Sequence, residues 1–247
     1  MKILFSPSET KRPGGTPPPL QAEDMLFPEL FNLRKTVLQH YTDLLREADD
    51  ETLKKLFGVK KEDQLQTNRS VNLFQDPTMK AVMRYTGVAY DYLDYETLSE
   101  QEKTFIDENM LIFSNLFGPI LARDRIPYYK LKQGEKIGDF AAEKYYAEHF
   151  TQALDNFLHD AFIVDLRAGF YLKFYKLKQP YVTMKFIKNG KVVSHWAKAY
   201  RGMVVRALAK YRPQNEKMFA EIPFENLSIV EIQKSKHKTE YIYEITS

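Results

Sequence analysis

Apolar and polar positions change period several times along the chain, and each change marks an element. Ile3-Leu4-Phe5 is a short continuous apolar run; it predicts a buried strand over 2–6 that enters the polar turn Ser6-Pro7-Ser8-Glu9-Thr10. The next stretch, Arg12-Pro13-Gly14-Gly15-Thr16-Pro17-Pro18-Pro19, is rich in residues that break both helix and ladder, so it reads as a stiff loop. Leu30, Leu33, Val37, Tyr41 and Leu44 recur at helical spacing and predict a helix over 26–45. A shorter helix over 50–57 ends at Gly58, which suits a left-handed residue just past a helix, and another starts near Lys61. Residues 81–85 read as a strand ending at Thr86-Gly87. Ser99-x-x-Glu102 has capping-box form and predicts a helix to about 117, broken by Gly118-Pro119.

The second half follows the same logic. A long helix is expected over 136–158 and a strand over 162–166. Asn189-Gly190 between two apolar-alternating runs predicts a hairpin of 181–187 and 192–196. A helix over 197–211 stops before Pro213, and strands over 227–232 and 241–245 flank the basic turn 234–238. Strands and helices mix without a strict alternation. The expected class is therefore α+β, an irregular mixed α/β arrangement: a single domain over 1–247 with mixed sheets, peripheral helices and a basic cleft.

Composition removes several chemistries. None of the 247 residues is a cysteine, so disulfides, thiolate metal sites and cysteine nucleophiles are excluded. No apolar run reaches the roughly 18 residues of a membrane helix, and the first is too short for an export signal, so a cytoplasmic protein with no membrane partner is expected. The five histidines show no metal-binding spacing, and the glycine loops of nucleotide-binding folds and the nucleophile-elbow motif are missing. No cofactor and no metal are expected, and no nucleophile–base pair can be named. His195, beside Trp196 and a basic helix, is the histidine best placed for function.

Charge is distributed unevenly. The 50 residues from Leu166 to Asn215 contain twelve basic residues and no acid, which leaves 24 of the 36 basic residues to face all 33 acids elsewhere. Such a segment suits a polyanion or an anionic substrate, although a charge run is also what a solvated face looks like. On a helical wheel Lys198, Arg201, Arg206, Lys210 and Arg212 share one half of the 197–212 helix, with Val205 the apolar exception. Upstream, 170–178 interleaves Phe and Tyr with Lys173, Lys176 and Lys178; aromatics beside cations can stack bases and neutralise phosphates, or simply pack.

Several segments together resemble the YaaA family of bacterial peroxide-stress proteins. They are the strand and turn Ile3-Leu4-Phe5-Ser6-Pro7-Ser8-Glu9-Thr10, Tyr85-Thr86-Gly87, Ser114-Asn115-Leu116-Phe117-Gly118, and 128–134 ending at Gly134. Asp165-Leu166-Arg167-Ala168-Gly169-Phe170-Tyr171-Leu172-Lys173 and the Ala-Lys-x-x-Arg-Gly-x-x-x-Arg element at 197–206 complete the set. This chain departs from the family pattern at Asn115, Lys132 and Phe170, where the family has Gly, Glu and Glu.

The resemblance implies a cytoplasmic protein that limits oxidative damage to DNA, with DNA binding, a positively charged cleft, a helix–hairpin–helix-like element and a link to lowered free iron. The matching hairpin lies near 50–68, around Lys54, Lys55, Gly58, Lys60 and Lys61, with the usual second glycine replaced by Lys60. Gly58 also reads simply as a helix stop. The expected function is non-sequence-specific duplex DNA binding by Lys198, Arg201, Arg206, Lys210, Lys173, Lys176 and Arg167, with the hairpin as a second phosphate contact. The alternative is an enzyme for a small anionic or nucleotide-like substrate, in a pocket made by Ser6, Glu9, Tyr85, Thr86, Lys198 and Arg201. A compact pocket favours the second, a long open groove the first.

Overall fold

The computed structural model describes residues 1–246, with the side chains of Ser194 and His195 outside the description. The expectation placed on His195 therefore falls outside the described residues. The frame is one mixed sheet. Its strands are β1 (Lys2–Phe5), β3 (Met110–Ser114), β4 (Gly118–Leu121), β6 (Ile163–Asp165), β7 (Tyr181–Lys188), β9 (Leu227–Lys234) and β10 (Lys238–Ile245), in the order β4-β3-β1-β6-β7-β10-β9. Pairings from β3 through β1, β6 and β7 to β10 are all parallel, and the edge strands β4 and β9 run antiparallel. Near the end of β7, the short β8 (Lys191–Val192) pairs with it across the Asn189-Gly190 turn, both of whose residues have positive φ. A second, two-stranded sheet joins β2 (Thr78–Lys80) to β5 (Arg125–Pro127).

Nine α-helices surround this frame among the described residues: α1 (Phe31–Glu47), α2 (Asp50–Phe57), α3 (Glu62–Arg69), α4 (Ala81–Arg84), α5 (Val88–Leu93), α6 (Glu100–Asn109), α7 (Ala142–Leu158), α8 (Ser194–Tyr211) and α9 (Glu216–Ala220). The mixed, single-domain architecture expected from the sequence is what the chain adopts. Ile3, Leu4 and Phe5 of β1 are fully buried because the strand has a neighbour on each side.

Four local expectations give way to tertiary structure. The capping box forms, with Ser99 N–H donating to Glu102 and Glu102 N–H to Ser99 Oγ, but the helix ends at Asn109. Met110-Leu111-Ile112-Phe113 then continues as β3, because a run apolar on every side is best buried in a parallel sheet. Residues 81–84 form one helical turn rather than a strand; the pairing is taken by Thr78–Lys80 just before it. The hairpin's second strand is only Lys191–Val192, and α8 starts at Ser194, earlier than expected. In α1 the buried stripe is Arg34, Val37, Leu38, Tyr41 and Leu45, rotated from the expected one to include an arginine. Arg34 reaches main-chain carbonyls of Leu26, Phe117 and Pro119.

Candidate functional site

Because β1 and β6 are adjacent and parallel, the loops that leave their carboxyl ends diverge on the same side of the sheet. The chain leaves β1 toward β3 on one flank and reaches β6 on the other, and such a reversal opens a crevice at strand ends. Ser6–Thr10 after β1, Leu166–Tyr171 after β6, Gly87–Tyr90 at the start of α5, Gln133, and Lys198 and Arg201 on α8 enclose a cavity of about 320 Å³ there. Main-chain and hydroxyl bonds hold its walls. Ala168 N–H donates to Ser6 Oγ at 2.8 Å and the Tyr90 hydroxyl to the Ser6 carbonyl at 2.9 Å. Thr10 and Thr86 exchange two bonds, from Thr10 Oγ1 to the Thr86 carbonyl at 3.0 Å and from Thr86 N–H to the Thr10 carbonyl at 3.1 Å. Glu9 accepts from Gln133 N–H at 3.0 Å.

Among the described residues, the cations of this cavity have no fixed counter-ion. Arg201 is largely buried, and its Nε has no hydrogen-bond partner. Burial lowers its pKa, and the field of Asp165 opposes that shift. Asp165 is itself committed to Arg167, which it meets at 2.7 Å and 2.9 Å with both groups buried. Lys198 is exposed and, among the described residues, makes no ion pair. On the far side of the Glu9-Thr10 wall lies a second cavity of about 270 Å³, lined by Lys11, Val59, Asp63, Tyr128 and Lys130 among others. Lys11 Nζ sits 4.1 Å from the Tyr129 ring centre and donates to the Ser8 carbonyl at 3.0 Å. Burial holds its pKa well below the usual lysine range; Lys130 and Arg84 add to the effect and Glu9 opposes it.

The pocket thus unites Ser6, Glu9, Lys198 and Arg201, but two expected members sit elsewhere. Tyr85 is buried behind the wall, its hydroxyl 2.9 Å from that of Tyr129, which in turn meets Ser114 and Asn115. Its own burial pushes Tyr85 up to about 12. Thr86 takes part through its main chain. The aromatic rings that do line the cavity are Phe5, Tyr90 and Tyr171. Tyr171 was legible as one of the aromatics of 170–178, whereas Gln133 carried no local signal.

The expected line of cations along α8 is also divided. Gly202, Val205 and Ala209, in the middle of the basic half of the wheel, are buried, and a Cβ on Gly202 would stand 2.0 Å from the Ala89 carbonyl oxygen of α5. That face is a helix-packing surface edged by cations. Arg206 belongs to the packing: it donates to the carbonyls of Leu93 and Asp94 at 3.1 Å and 3.0 Å and to Thr97 at 2.9 Å, satisfying the end of α5. With Lys210 it borders a different cavity, beside Tyr211 and Phe224. Arg167 is enclosed in its ion pair, so its charge is spent inside the protein and does not reach a surface. Acids absent from 166–215 reach its cations through space instead, Asp155 pairing with Lys178 at 2.7 Å.

Elsewhere the expected cations are exposed. Lys173 and Lys176 lie at the surface, as do Lys60 and Lys61, which make no ion pair among the described residues. Helices α2 and α3, eight residues each, flank a four-residue turn in which Gly58 has φ 66° and ψ 36°, and Val59 N–H donates to the Lys54 carbonyl. Lys54 pairs with Glu62 at 3.2 Å, and Lys55 stands 4.0 Å from Glu135. Lys132 N–H donates to the Leu56 carbonyl at 2.9 Å, a main-chain bond independent of the side chain, and the aliphatic part of Lys132 packs on Gly58. Among the described residues no group of acidic or histidine side chains is arranged to hold a metal ion, and no helix is long and apolar enough to cross a membrane.

Comparison with known proteins finds relatives over nearly the full length of the chain. A family model described as "Peroxide stress protein YaaA" matches residues 1–233. A Campylobacter jejuni protein, Cj0984, is 47% identical over 246 residues, covering 99% of both chains. A UPF0246 protein of Corynebacterium glutamicum is 37% identical over 220 residues, 85% of each chain, and one of Streptomyces coelicolor is 30% identical over 215 residues, 84% of this chain and 82% of that one.

Proposed function

The chain belongs to the peroxide stress protein YaaA family, and from that premise we propose that it acts in peroxide defence by binding duplex DNA without sequence preference. The observation that carries this reading is the α2–turn–α3 unit. Its turn is closed by a left-handed Gly58, the first N–H groups of α3 have no side-chain cap, and Lys60 and Lys61 stand exposed beside them. Backbone N–H groups and flanking lysines at a tight turn bind phosphate and read no base. Glu62 at the start of α3 works against an anion, and its pairing with Lys54 and Gln66 offsets that.

The hairpin is contiguous with the strand-end cavity. Val59, Asp63 and Thr67 share one cavity with Glu9 and Thr10, and those two residues also wall the other. Lys198 at that cavity and the exposed Lys173 would extend the phosphate contacts. A salt series of duplex binding by fluorescence anisotropy tests the reading. Affinity should fall steeply with salt, and Lys60→Glu/Lys61→Glu should flatten the slope by about 0.9 for each phosphate no longer neutralised. Binding that salt does not weaken would refute it. The compact cavity and the two cations that line it, Lys198 and Arg201, favour a second reading, recognition of a small anionic ligand, in which such a ligand saturates the protein with no DNA present.

A further inference from the structure

We propose that the strand-end cavity receives one nucleotide, its phosphate on Lys198 and Arg201 and an amino-bearing base toward Glu9, and that the nucleotide is an unpaired one supplied by the bound DNA strand. The inference rests on the DNA-binding reading and assigns the cavity a task within it.

The lining specifies a ligand of mixed character. Phe5, Pro7, Val88, Leu166 and Ala168 offer apolar wall, and Tyr90 and Tyr171 add aromatic surface, which suits a flat ring. Arg201 supplies a desolvated guanidinium whose Nε has no partner within the protein. That nitrogen is closed off inside the wall, so it is the guanidinium's charge, without a counter-ion among the described residues, that suits a phosphate oxygen in the cavity. Glu9 argues against a bare anion. A carboxylate in the wall repels a multivalent anion unless the ligand also brings a donor for it, and an exocyclic amine is such a donor. Phosphate, ring and amine in one molecule describe a nucleotide.

Size and position then point to a single nucleotide taken from a strand. A cavity of about 320 Å³ lies at the low end of ligand pockets, which run from about 300 to 1,000 Å³, and has no room for a duplex. Its Glu9-Thr10 wall is shared with the cavity beside the hairpin, so a strand held on Lys60 and Lys61 passes close by. A nucleotide already unpaired enters at the lowest cost, since no stacking or pairing has to be broken.

The experiment compares two duplexes of one sequence, one fully paired and one with a single unpaired adenosine, by anisotropy at fixed salt. Wild type should prefer the unpaired substrate by about tenfold. Arg201→Met and, at the exposed rim, Lys198→Met should bring that ratio toward one, and Lys60→Glu/Lys61→Glu should weaken both duplexes alike. Deoxyadenosine monophosphate should erase the preference at concentrations where inorganic phosphate does not. Equal wild-type affinity for the two duplexes overturns the proposal and leaves DNA binding standing. If neither duplex binds, the DNA reading and the strand source both fall; calorimetry with the mononucleotide then separates a free-nucleotide pocket, lost in Lys198→Met, from no nucleotide site at all.

Discussion

The N–H of Gln133 lies 3.0 Å from the Glu9 carboxylate, and with the bond from Lys130 to the Glu9 carbonyl at 3.1 Å it fastens the wall of the strand-end cavity to the loop on which the hairpin rests. One residue earlier, Lys132 donates to Leu56 and packs on Gly58. Glu9→Ala should remove the Gln133 bond, at a cost of about 1 kcal/mol, and leave only the Lys130 contact to the main chain. Hydrogen exchange at 128–134 should accelerate while the sheet core keeps its protection; unchanged exchange there would show that the bond carries no load.

Arg206 looks like a phosphate ligand in the sequence and acts as an internal cap in the fold. Arg206→Ala should lower stability by about 1–2 kcal/mol through the Leu93 carbonyl that loses its partner, while the Asp94 carbonyl keeps its bonds from Thr97. Chemical denaturation measures the loss. Its effect on duplex affinity should be smaller than that of Lys60→Glu/Lys61→Glu.

Gly202 sets the distance between α5 and α8. Gly202→Ala places a methyl against the Ala89 carbonyl, and the helices must separate. Overpacking of this kind costs about 1–3 kcal/mol. Since Ala89 and Tyr90 on one helix and Arg201 on the other line the cavity, thermal melting should show a lowered midpoint together with weakened ligand binding.

Asp165 and Arg167 form a buried pair, so removing one partner should hurt far more than removing both. Asp165→Ala alone should cost about 3–5 kcal/mol, and the double variant Asp165→Leu/Arg167→Met should recover a large part of it. Denaturation midpoints of the three proteins decide this, and equal losses in the single and double variants would contradict it.

Lys11 gives the stability curve a slope on the alkaline side of neutrality. Its folded pKa is held well below 10.5, so between the lowered value and 10.5 the unfolded chain binds more protons, and stability rises with pH across that window. Buried tyrosines act oppositely at higher pH. Tyr85, raised from 10.0 to about 12, favours the folded state below 10 and loses that advantage as pH climbs through 12. Urea midpoints from neutrality toward pH 10 should rise in the wild type and rise less in Lys11→Met.

Much of the frame is legible in local pattern. Ile3-Leu4-Phe5, the capping box at Ser99, the stop at Gly58 and the Asn189-Gly190 turn each act through the bonds and dihedrals of a few neighbouring residues, and each appears where its pattern puts it. The misread segments are those whose partners are distant. Met110–Ser114 leaves the helical path because β1 is there to pair with it, and Val205 interrupts the basic face because α5 covers it. For the site, the residue types at Ser6, Glu9, Lys198 and Arg201 could be read, but which of the basic residues remain available could not. That depends on Asp165, Asp94 and Asp155, acids brought in from outside the basic segment.

The position of β1 also fixes when the molecule can become itself. It comes first in the chain, yet Ile3 is in register with Met110 and Val164. On a ribosome its three apolar residues wait for Ile163–Asp165 to emerge before both neighbours exist. Pairings across such separations make folding slow and leave sticky intermediates exposed. The cavity, whose last wall is Arg201, is among the latest parts to close.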